Sequence, residues 1–238
     1  MNVFRFDSPA AWLSGVCTMW RDRLRTNGRQ TICLPTGLTP AGVYAEMVRS
    51  VARGHVSFAD ATVFALDEFG GLASDDPGRT RHTLQHQLIG SIDLPPGAFH
   101  FLDPDVANVE EHCRNYDAAI GDGFDLVLLG IGTNGHLGMN EPGSAADSPT
   151  RRVDLHEDTI RASARYFSHQ QLPRWGLTVG MKGLLESKEV WVLANGSSKA
   201  AIIQRTVEGE VGPQVPASLL RLHPNCALFV DADAGARL

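Results

Sequence analysis

Short apolar segments alternate with longer amphipathic segments along most of this chain, and this alternation constrains its fold more than any other feature. Segments of the first kind are typical of buried strands, and those of the second kind have the spacing of helices that cross over a parallel sheet. The sequence predicts strands at residues 2–6, 30–34, 62–66, 125–129, 190–194 and 226–230. The predicted fold class is therefore α/β, with a mostly parallel sheet.

The amphipathic segments predict the helices. In 41–52 the apolar residues fall on one helical stripe, and Thr39 and Pro40 supply an N-cap and a favoured first position. Two segments, 70–78 and 141–150, are rich in Gly, Pro, Ser and Asp and are predicted to be loops. The other predicted helices cover residues 9–25, 80–92, 109–120, 176–186 and 199–208.

Composition restricts the class of protein. Of the 238 residues, 43% are hydrophobic and 20% are charged, which excludes a disordered or fibrous chain. The net charge is −6 and no run of like charges occurs, so neither a nucleic-acid surface nor a polybasic membrane anchor is predicted. No linker interrupts the pattern. Residues 1–238 are therefore predicted to form one domain, and its partner is predicted to be a small molecule.

Cysteine usage and the N-terminus predict a cytoplasmic protein. The four cysteines, Cys17, Cys33, Cys113 and Cys226, have no C-x-x-C spacing, which argues against a zinc ribbon and against a disulfide framework. The first residues carry charges where a signal peptide would be apolar, and no apolar run of about 18 residues follows.

The turn LPTGLTP at 34–40 joins a predicted strand to a predicted helix. Hydroxyl groups and free backbone N–H groups meet there at the positive end of the helix dipole, which suits a phosphate group. An ordinary capped turn has the same pattern. The motif alone leaves both interpretations open.

A second turn of this kind, at 192–200, places Lys199 in the first helical turn. A cation in that position opposes the helix dipole by about 0.3–1 kcal/mol, and a bound anion reverses the penalty. Lys199 is therefore a candidate anion ligand. The alternative is a solvated surface lysine whose unfavourable interaction is screened by salt.

The predicted strand 62–66 ends in the carboxylate pair Asp67 and Glu68. Neighbouring side chains of a strand point to opposite faces, so only one of the two can face a given pocket. A carboxylate at the edge of an apolar core can have its pKa tuned for proton transfer from carbon. The alternative is a solvent-facing end of the strand.

The segment after strand 125–129 has glycines at 130, 132 and 135, in the spacing G-x-G-x-x-G. A dinucleotide-binding motif needs a helix that begins at the third glycine, and Gly138 and Pro142 prevent one. The segment instead predicts a flexible loop that presents His136, with Glu141 near enough in the chain to orient the imidazole. An exposed histidine without a function is the alternative.

Taken in order, these segments resemble the glucosamine-6-phosphate deaminases, also called glucosamine-6-phosphate isomerases, which are related to the 6-phosphogluconolactonases. The resemblance implies a Rossmann-like three-layer sandwich with a mostly parallel sheet, and no metal or organic cofactor. It implies conversion of an amino-sugar 6-phosphate and water into a ketose 6-phosphate and ammonia. The matching segments are LPTG at 34–37, LDEF at 66–69, GTNGH at 132–136, NEP at 140–142, GLTVG at 176–180 and GSSKA at 196–200.

Site residues are implied by the same resemblance. Asp67 matches the base that moves a proton between C2 and C1 of the sugar, His136 the catalyst of ring opening, and Glu141 the carboxylate that holds this histidine. The residues that match the phosphate ligands are Thr36, Gly37, Leu38, Thr39, Arg165 and Lys199.

The sequence departs from the family pattern at two of these positions. Leu38 stands where the phosphate loop usually has a second glycine, which puts a positive φ at this position in doubt. Asn134 stands where the catalytic motif usually has aspartate, so an amide replaces a charge beside the histidine. The hypothesis that follows is a preference for galactosamine 6-phosphate, the C4 epimer, or acceptance of both epimers.

Two alternatives stay open. A 6-phosphogluconolactonase would be expected to have an arginine soon after the Asp-Glu pair and a GHTAS-type continuation, whereas this chain has Phe69 and GHLGMNEP at 135–142. A non-catalytic sugar-phosphate sensor would have no need of a base beside a ring-opening histidine. The sequence also allows an oligomer without indicating its size.

Overall fold

The computed structural model describes residues 1–26, 28–167 and 172–238, and its central element there is a sheet of seven parallel strands. Every predicted strand is present with its bounds confirmed to within one residue. The prediction of a mostly parallel α/β sheet is therefore confirmed. In spatial order the strands are β1 (Asn2–Phe6), β10 (Cys226–Asp231), β9 (Val190–Ala194), β6 (Leu126–Leu129), β2 (Gln30–Leu34), β3 (Ala61–Ala65) and β5 (Phe99–His100).

Both faces of this sheet are buried under helices, which makes three layers. In β9, Val190, Val192 and Ala194 belong to one apolar cluster, and Trp191 and Leu193 belong to the other. Such alternation between two buried faces is typical of a parallel sheet covered on both sides. The helices are α1 (Pro9–Thr26), α2 (Leu38–Ala52), α3 (Thr80–Gln87), α4 (Val109–Ile120), α5 (Glu157–Ser163), α6 (Met181–Leu185) and α7 (Ala200–Glu208).

A second, antiparallel sheet of three strands stands beside the first, and the sequence analysis did not predict it. Its strands are β4 (Asp67–Phe69), β8 (Trp175–Thr178) and β7 (Arg151–Asp154), with β8 in the middle. Only Leu66 separates β4 from β3. The chain thus passes from the large sheet to the small one at the carboxylate pair.

The predicted helix 176–186 is wrong. Its first three residues belong to strand β8, and the helix α6 begins only at Met181. Gly176 lies against the backbone oxygen of Glu68. An added Cβ would come within 2.6 Å of this oxygen, so only glycine fits at this position of the strand. At Gly180, an added Cβ would lie 2.0 Å from the Ser148 oxygen. The glycines were signals of close backbone contacts rather than of a helix.

Two other helix predictions need smaller corrections. The helix predicted over 80–92 ends at Gln87 and is followed by a short 3-10 turn at Ile89–Ser91. Thr39 is not an N-cap, because α2 begins at Leu38 with Gly37 before it. The hydroxyl of Thr39 instead donates to Oδ1 of Asn195, 3.1 Å away. The predicted loops 70–78 and 141–150 are confirmed.

The four cysteines are buried and free of disulfide bonds. Among the helices in the described ranges, none is both long and apolar enough to cross a membrane.

Candidate active site

A cavity of about 280 Å³ opens at the carboxyl edge of the parallel sheet. Open α/β sheets place their ligands at this edge, because the loops that follow several strands converge there. The cavity walls come from the turns after β2, β6 and β9, the junction of β3 with β4, and helix α5. Nine of the ten predicted site residues line it: Thr36, Gly37, Leu38, Thr39, Asp67, Asn134, His136, Arg165 and Lys199.

The tenth predicted residue, Glu141, lies behind His136 and contacts it from outside the lining. The site residues form two groups that differ in charge. We call the first the cationic end, formed by Thr36, Gly37, Leu38, Thr39, Arg165 and Lys199. We call the second the carboxylate end, formed by Asp67, Asn134, His136 and Glu141.

The turn before α2 gives the cationic end its backbone donors. Gly37 has φ +126°, in the region that favours glycine, and an added Cβ would lie 3.5 Å from the hydroxyl of Tyr166. The helix then begins at Leu38, and the N–H groups of its first turn, which lines the cavity, have no helical partners. Leu38 itself, like every non-glycine residue in the described part of the chain, has no positive φ. Its replacement of a glycine therefore leaves the turn unstrained.

Two cations complete the cationic end. Nζ of Lys199 donates to the backbone oxygen of Ile131, 2.7 Å away, which directs the side chain from the β9–α7 turn toward the loop after β6. Burial lowers the pKa of Lys199, and the nearby Arg165 lowers it further. A bound anion would relieve both effects. Asp231 fixes the β9–α7 turn, because its two carboxylate oxygens accept from the N–H of Gly196 at 3.0 and 3.1 Å.

At the carboxylate end, Asp67 and Glu68 face opposite sides, as the alternation along a strand predicts. Asp67 lines the cavity, whereas Glu68 is buried and accepts hydrogen bonds from the backbone N–H groups of Phe69, Thr80 and Arg81. Glu68 thus holds the start of α3. Burial, with a smaller contribution from the Glu68 charge, raises the pKa of Asp67 to about 7, against a weak hydrogen bond from Thr80.

The glycines of the G-x-G-x-x-G segment serve the histidine rather than a dinucleotide. An added Cβ at Gly132 would come within 2.3–2.5 Å of three imidazole atoms of His136, so only glycine leaves room for this ring position. Gly135 has φ +92° and packs against Val215. No helix begins at the third glycine in this described loop. The predicted absence of a helix at this glycine is therefore confirmed.

Hydrogen bonds connect Glu141 to its surroundings on both oxygens. Oε2 accepts from Nδ2 of Asn134 at 2.9 Å and lies 3.6 Å from Nδ1 of His136, while Oε1 accepts from the N–H of His156 at 3.3 Å. The hydroxyl of Thr159 lies 3.2 Å from the same Nδ1. Burial alone would raise the pKa of Glu141, but the interactions with His136, Thr159 and Asn134 lower it to about 2. The carboxylate is ionised at neutral pH.

Asn134 also has a second bond, because its Oδ1 accepts from the backbone N–H of His136 at 3.1 Å. The amide therefore connects the histidine backbone to the Glu141 carboxylate. Next to Glu141, the buried Asn140 donates Nδ2 to the oxygens of Leu137 and Val179 and accepts from Arg151. These bonds fix the loop that carries both groups.

Several residues of the site were missed by the sequence analysis. Asn195 lines the cavity directly after β9, and its position at a strand end was a usable signal. Thr159 lies on α5, a helix of seven residues that the periodicity did not predict. Asp231 bonds to the turn at Gly196, and the Tyr166 hydroxyl lies beside the turn at Gly37. Neither residue belongs to the motifs, and nothing in the local sequence indicated these contacts.

Comparison with known proteins agrees with this geometry. The family model described as glucosamine-6-phosphate isomerases/6-phosphogluconolactonase matches residues 9–228. The chain is 40% identical over 220 residues to a glucosamine-6-phosphate deaminase of Rhodopirellula baltica, with 91% of this chain and 88% of that protein covered. It is 36% identical over 239 residues to the enzyme of that name from Shouchella clausii, covering 99% and 97%.

Solved structures show the same relationship. A monomeric glucosamine-6-phosphate deaminase superposes with a TM-score of 0.96 and 32% identity, over 100% of both chains. A 6-phosphogluconolactonase from Thermotoga maritima superposes with a TM-score of 0.76 and 19% identity, over 97% of this chain and 99% of that one. The second likeness is one of fold alone.

Proposed function

This chain belongs to the family of glucosamine-6-phosphate isomerases and 6-phosphogluconolactonases, and from that membership we propose that it is a deaminase of amino-sugar 6-phosphates. The proposed reaction converts glucosamine 6-phosphate and water into a ketohexose 6-phosphate and ammonia. The observation that carries the proposal is the position of Asp67. A carboxylate with a pKa near neutrality shares one cavity with a histidine, two cations and a helix N-terminus.

The cationic end is proposed to bind the phosphate. A phosphate dianion would accept hydrogen bonds from the first N–H groups of α2 and from the hydroxyls of Thr36 and Thr39, as anions do at helix N-termini. Arg165 can engage two phosphate oxygens at once, and Lys199 adds a compact charge. With its phosphate bound there, the substrate would have its reacting carbons C1 and C2 at the carboxylate end.

His136 is proposed to open the sugar ring. Its imidazole would accept the proton of the C1 hydroxyl and return a proton to the ring oxygen as the bond between C1 and that oxygen breaks. The product of this step is the open-chain sugar, with an aldehyde at C1 and an amine at C2. Glu141 supports the histidine with a negative charge, which favours the protonated imidazole during the transfer.

Asp67 is proposed to move the proton from C2 to C1. Removal of the C2 proton gives an enolamine, and return of the proton to C1 gives an imine at C2. Water then adds to C2 and ammonia leaves, so a ketone remains. A base of this kind works best with a pKa near the working pH, and burial brings that of Asp67 to about 7.

Glucosamine 6-phosphate is the substrate that the family relatives support. The alternative, a preference for the C4 epimer galactosamine 6-phosphate, rests on Asn134 alone. Both polar groups of its amide already have protein partners, the Glu141 carboxylate and the His136 N–H. An amide held in this way has less freedom to select between directions of a sugar hydroxyl, so we propose glucosamine 6-phosphate as the better substrate.

The test is ammonia release from both sugar phosphates by the wild type and by Asn134→Asp. We expect release from both substrates to be lower in the variant, because a second carboxylate would face Glu141 where the amide now donates. A wild type that strongly prefers the galactosamine compound, with the ratio reversed in Asn134→Asp, would replace our substrate assignment by the epimer. No ammonia from either sugar would contradict the deaminase proposal, and hydrolysis of 6-phosphogluconolactone would then support the lactonase.

A further inference from the structure

We propose that Asn195 is a further ligand of the substrate phosphate, which it binds through its side-chain amide while Thr39 holds that amide in place. The inference deepens the proposed function, and it rests on the assignment of the phosphate to the cationic end. Asn195 is half-buried and lines the cavity directly after β9, in the same turn as Lys199.

A side-chain hydrogen bond joins the two turns of the cationic end. The hydroxyl of Thr39, in the first turn of α2, donates at 3.1 Å to Oδ1 of Asn195, which lies 156 positions away in the chain. The next backbone N–H, that of Gly196, donates to the Asp231 carboxylate. Asn195 is thus held through its side chain and through its turn. An amide that is already held loses little conformational entropy when a ligand binds.

Donor and acceptor rules leave the amide nitrogen of Asn195 available to a ligand. An asparagine amide accepts through Oδ1 and donates two hydrogens through Nδ2. Oδ1 is bonded to Thr39, and among residues 1–26, 28–167 and 172–238 Nδ2 has no acceptor. A half-turn of the amide would exchange the roles, because Nδ2 would donate to the Thr39 oxygen and free the hydroxyl proton. In either orientation Nδ2 keeps at least one hydrogen for a ligand.

The surroundings of this amide favour the phosphate over the sugar. Thr39 lies in the first turn of α2, where the N–H groups have no helical partners, and Lys199 follows Asn195 in the β9–α7 turn. The oxygens of a phosphate dianion only accept hydrogen bonds, whereas a sugar hydroxyl also needs an acceptor for its own proton. With Oδ1 bonded to Thr39, the amide offers donors alone, which matches the phosphate.

The experiment measures calorimetric binding of inorganic phosphate and of an open-chain hexitol 6-phosphate. Asn195→Leu removes the amide at similar volume, so it should weaken binding of both compounds about tenfold, the effect of one hydrogen bond to an anion. Asn195→Asp keeps an acceptor for Thr39 but replaces the donors by a negative charge, so the loss should be about a hundredfold. The matched control is Asn225→Asp. It adds the same charge at the opposite edge of the sheet, where the Asn225 amide donates to the Lys188 oxygen, and it should bind both compounds like the wild type.

A second comparison separates a phosphate ligand from a residue that only holds Thr39. In a Thr39→Val background the bond between the two side chains is already absent. Asn195→Leu should still weaken phosphate binding there by about threefold or more. In steady-state kinetics, Asn195→Leu should raise KM and leave kcat almost unchanged. If the leucine variant fails to fold, Asn195→Ala makes the same comparisons with a smaller side chain.

Several results would overturn the inference. An unchanged affinity for inorganic phosphate in Asn195→Leu would show that the amide does not bind the anion, and a loss confined to the hexitol 6-phosphate would make Asn195 a sugar contact instead. No further loss in the Thr39→Val background would reduce it to a positioning residue for Thr39. A failure of the proposed function looks different. In that case the losses of phosphate affinity would hold while the wild type releases no ammonia.

Discussion

At the cationic end of the cavity, all the groups that face a ligand except Arg165 come from two strand-to-helix turns of the parallel sheet, whereas at the carboxylate end they come from segments of several kinds that meet in the fold. Thr36, Gly37 and Thr39 are neighbours in the chain, and Lys199 lies in a turn of the same type. His136, Glu141 and Thr159 belong to a long loop and a separate short helix. Most of the cationic end is therefore built from two local turns, whereas the contacts of His136 with Glu141 and Thr159 depend on the tertiary fold.

The two ends also use burial differently. At the cationic end, burial lowers the pKa of Lys199, and a bound anion would raise it. At the carboxylate end, the pKa values of two carboxyl groups shift in opposite directions: that of Asp67 rises to about 7 and that of Glu141 falls to about 2. Separated values of this kind are typical of groups with different tasks in one reaction. We therefore expect that substitutions can change substrate binding and reaction separately.

The largest expected effect is at Asp67. Asp67→Asn keeps the shape of the side chain but removes the base, so ammonia release should fall by about a thousandfold or more. Its neighbour provides the matched comparison, because Glu68 holds the start of α3 and faces away from the cavity. Glu68→Gln should lower the melting temperature and leave most of kcat. Turnover by Asp67→Asn within tenfold of wild type would remove the base assignment.

The histidine and its carboxylate come next. His136→Gln should lower kcat by about a hundredfold, and Glu141→Gln by less, because Glu141 acts through the ring. Since the two act as a unit, the double variant should lose little more than the worse single variant. Losses that multiply in the double variant would show that Glu141 acts independently of His136.

A smaller effect, confined to binding, is expected at Lys199. Lys199→Ala removes a charge-assisted contact of about 1.5–3 kcal/mol, so KM should rise by about tenfold to a hundredfold while kcat changes little. Lys188→Ala is the control, since Lys188 is an exposed lysine paired with Asp125 away from the cavity. Steady-state kinetics on both variants make the comparison. An unchanged KM in Lys199→Ala would mean that this cation does not bind the phosphate.

The smallest effect concerns stability and pH. The pKa of Asp67 is raised from 3.8 to about 7 in the folded state, so between these values the folded protein holds a proton that the unfolded chain releases. Stability from this group is therefore lost as the pH rises from about 4 to about 7. Asp67→Asn should raise the melting temperature at about pH 8 but not at about pH 4, by about 2–4 °C for each kcal/mol. Equal shifts at both pH values would contradict the raised pKa.

The sequence predicted the large sheet and the two turns of the cationic end for the same reason, whereas Arg165 was given only by the family resemblance. Alternation and turn residues are local properties, and they determine β2, β9 and the turns that follow them. The prediction from the sequence failed where glycines are required by tertiary contacts. Gly176 and Gly180 fit against other backbone segments, and the helix predicted there is partly strand β8. Thr159 could not be found either. Its contact with His136 joins residues 23 positions apart in the chain, and α5 is too short for a clear periodic signal.

The measurement that tests the separation of the two ends most directly is calorimetric binding of an open-chain hexitol 6-phosphate. This compound has the phosphate but neither the aldehyde nor the amine on which the reaction depends. We expect Asp67→Asn to bind it as tightly as the wild type, and Lys199→Ala to bind it about tenfold or more weakly. If Asp67→Asn loses as much affinity as Lys199→Ala, or if Lys199→Ala binds like the wild type, the assignment of binding to one end and reaction to the other is wrong.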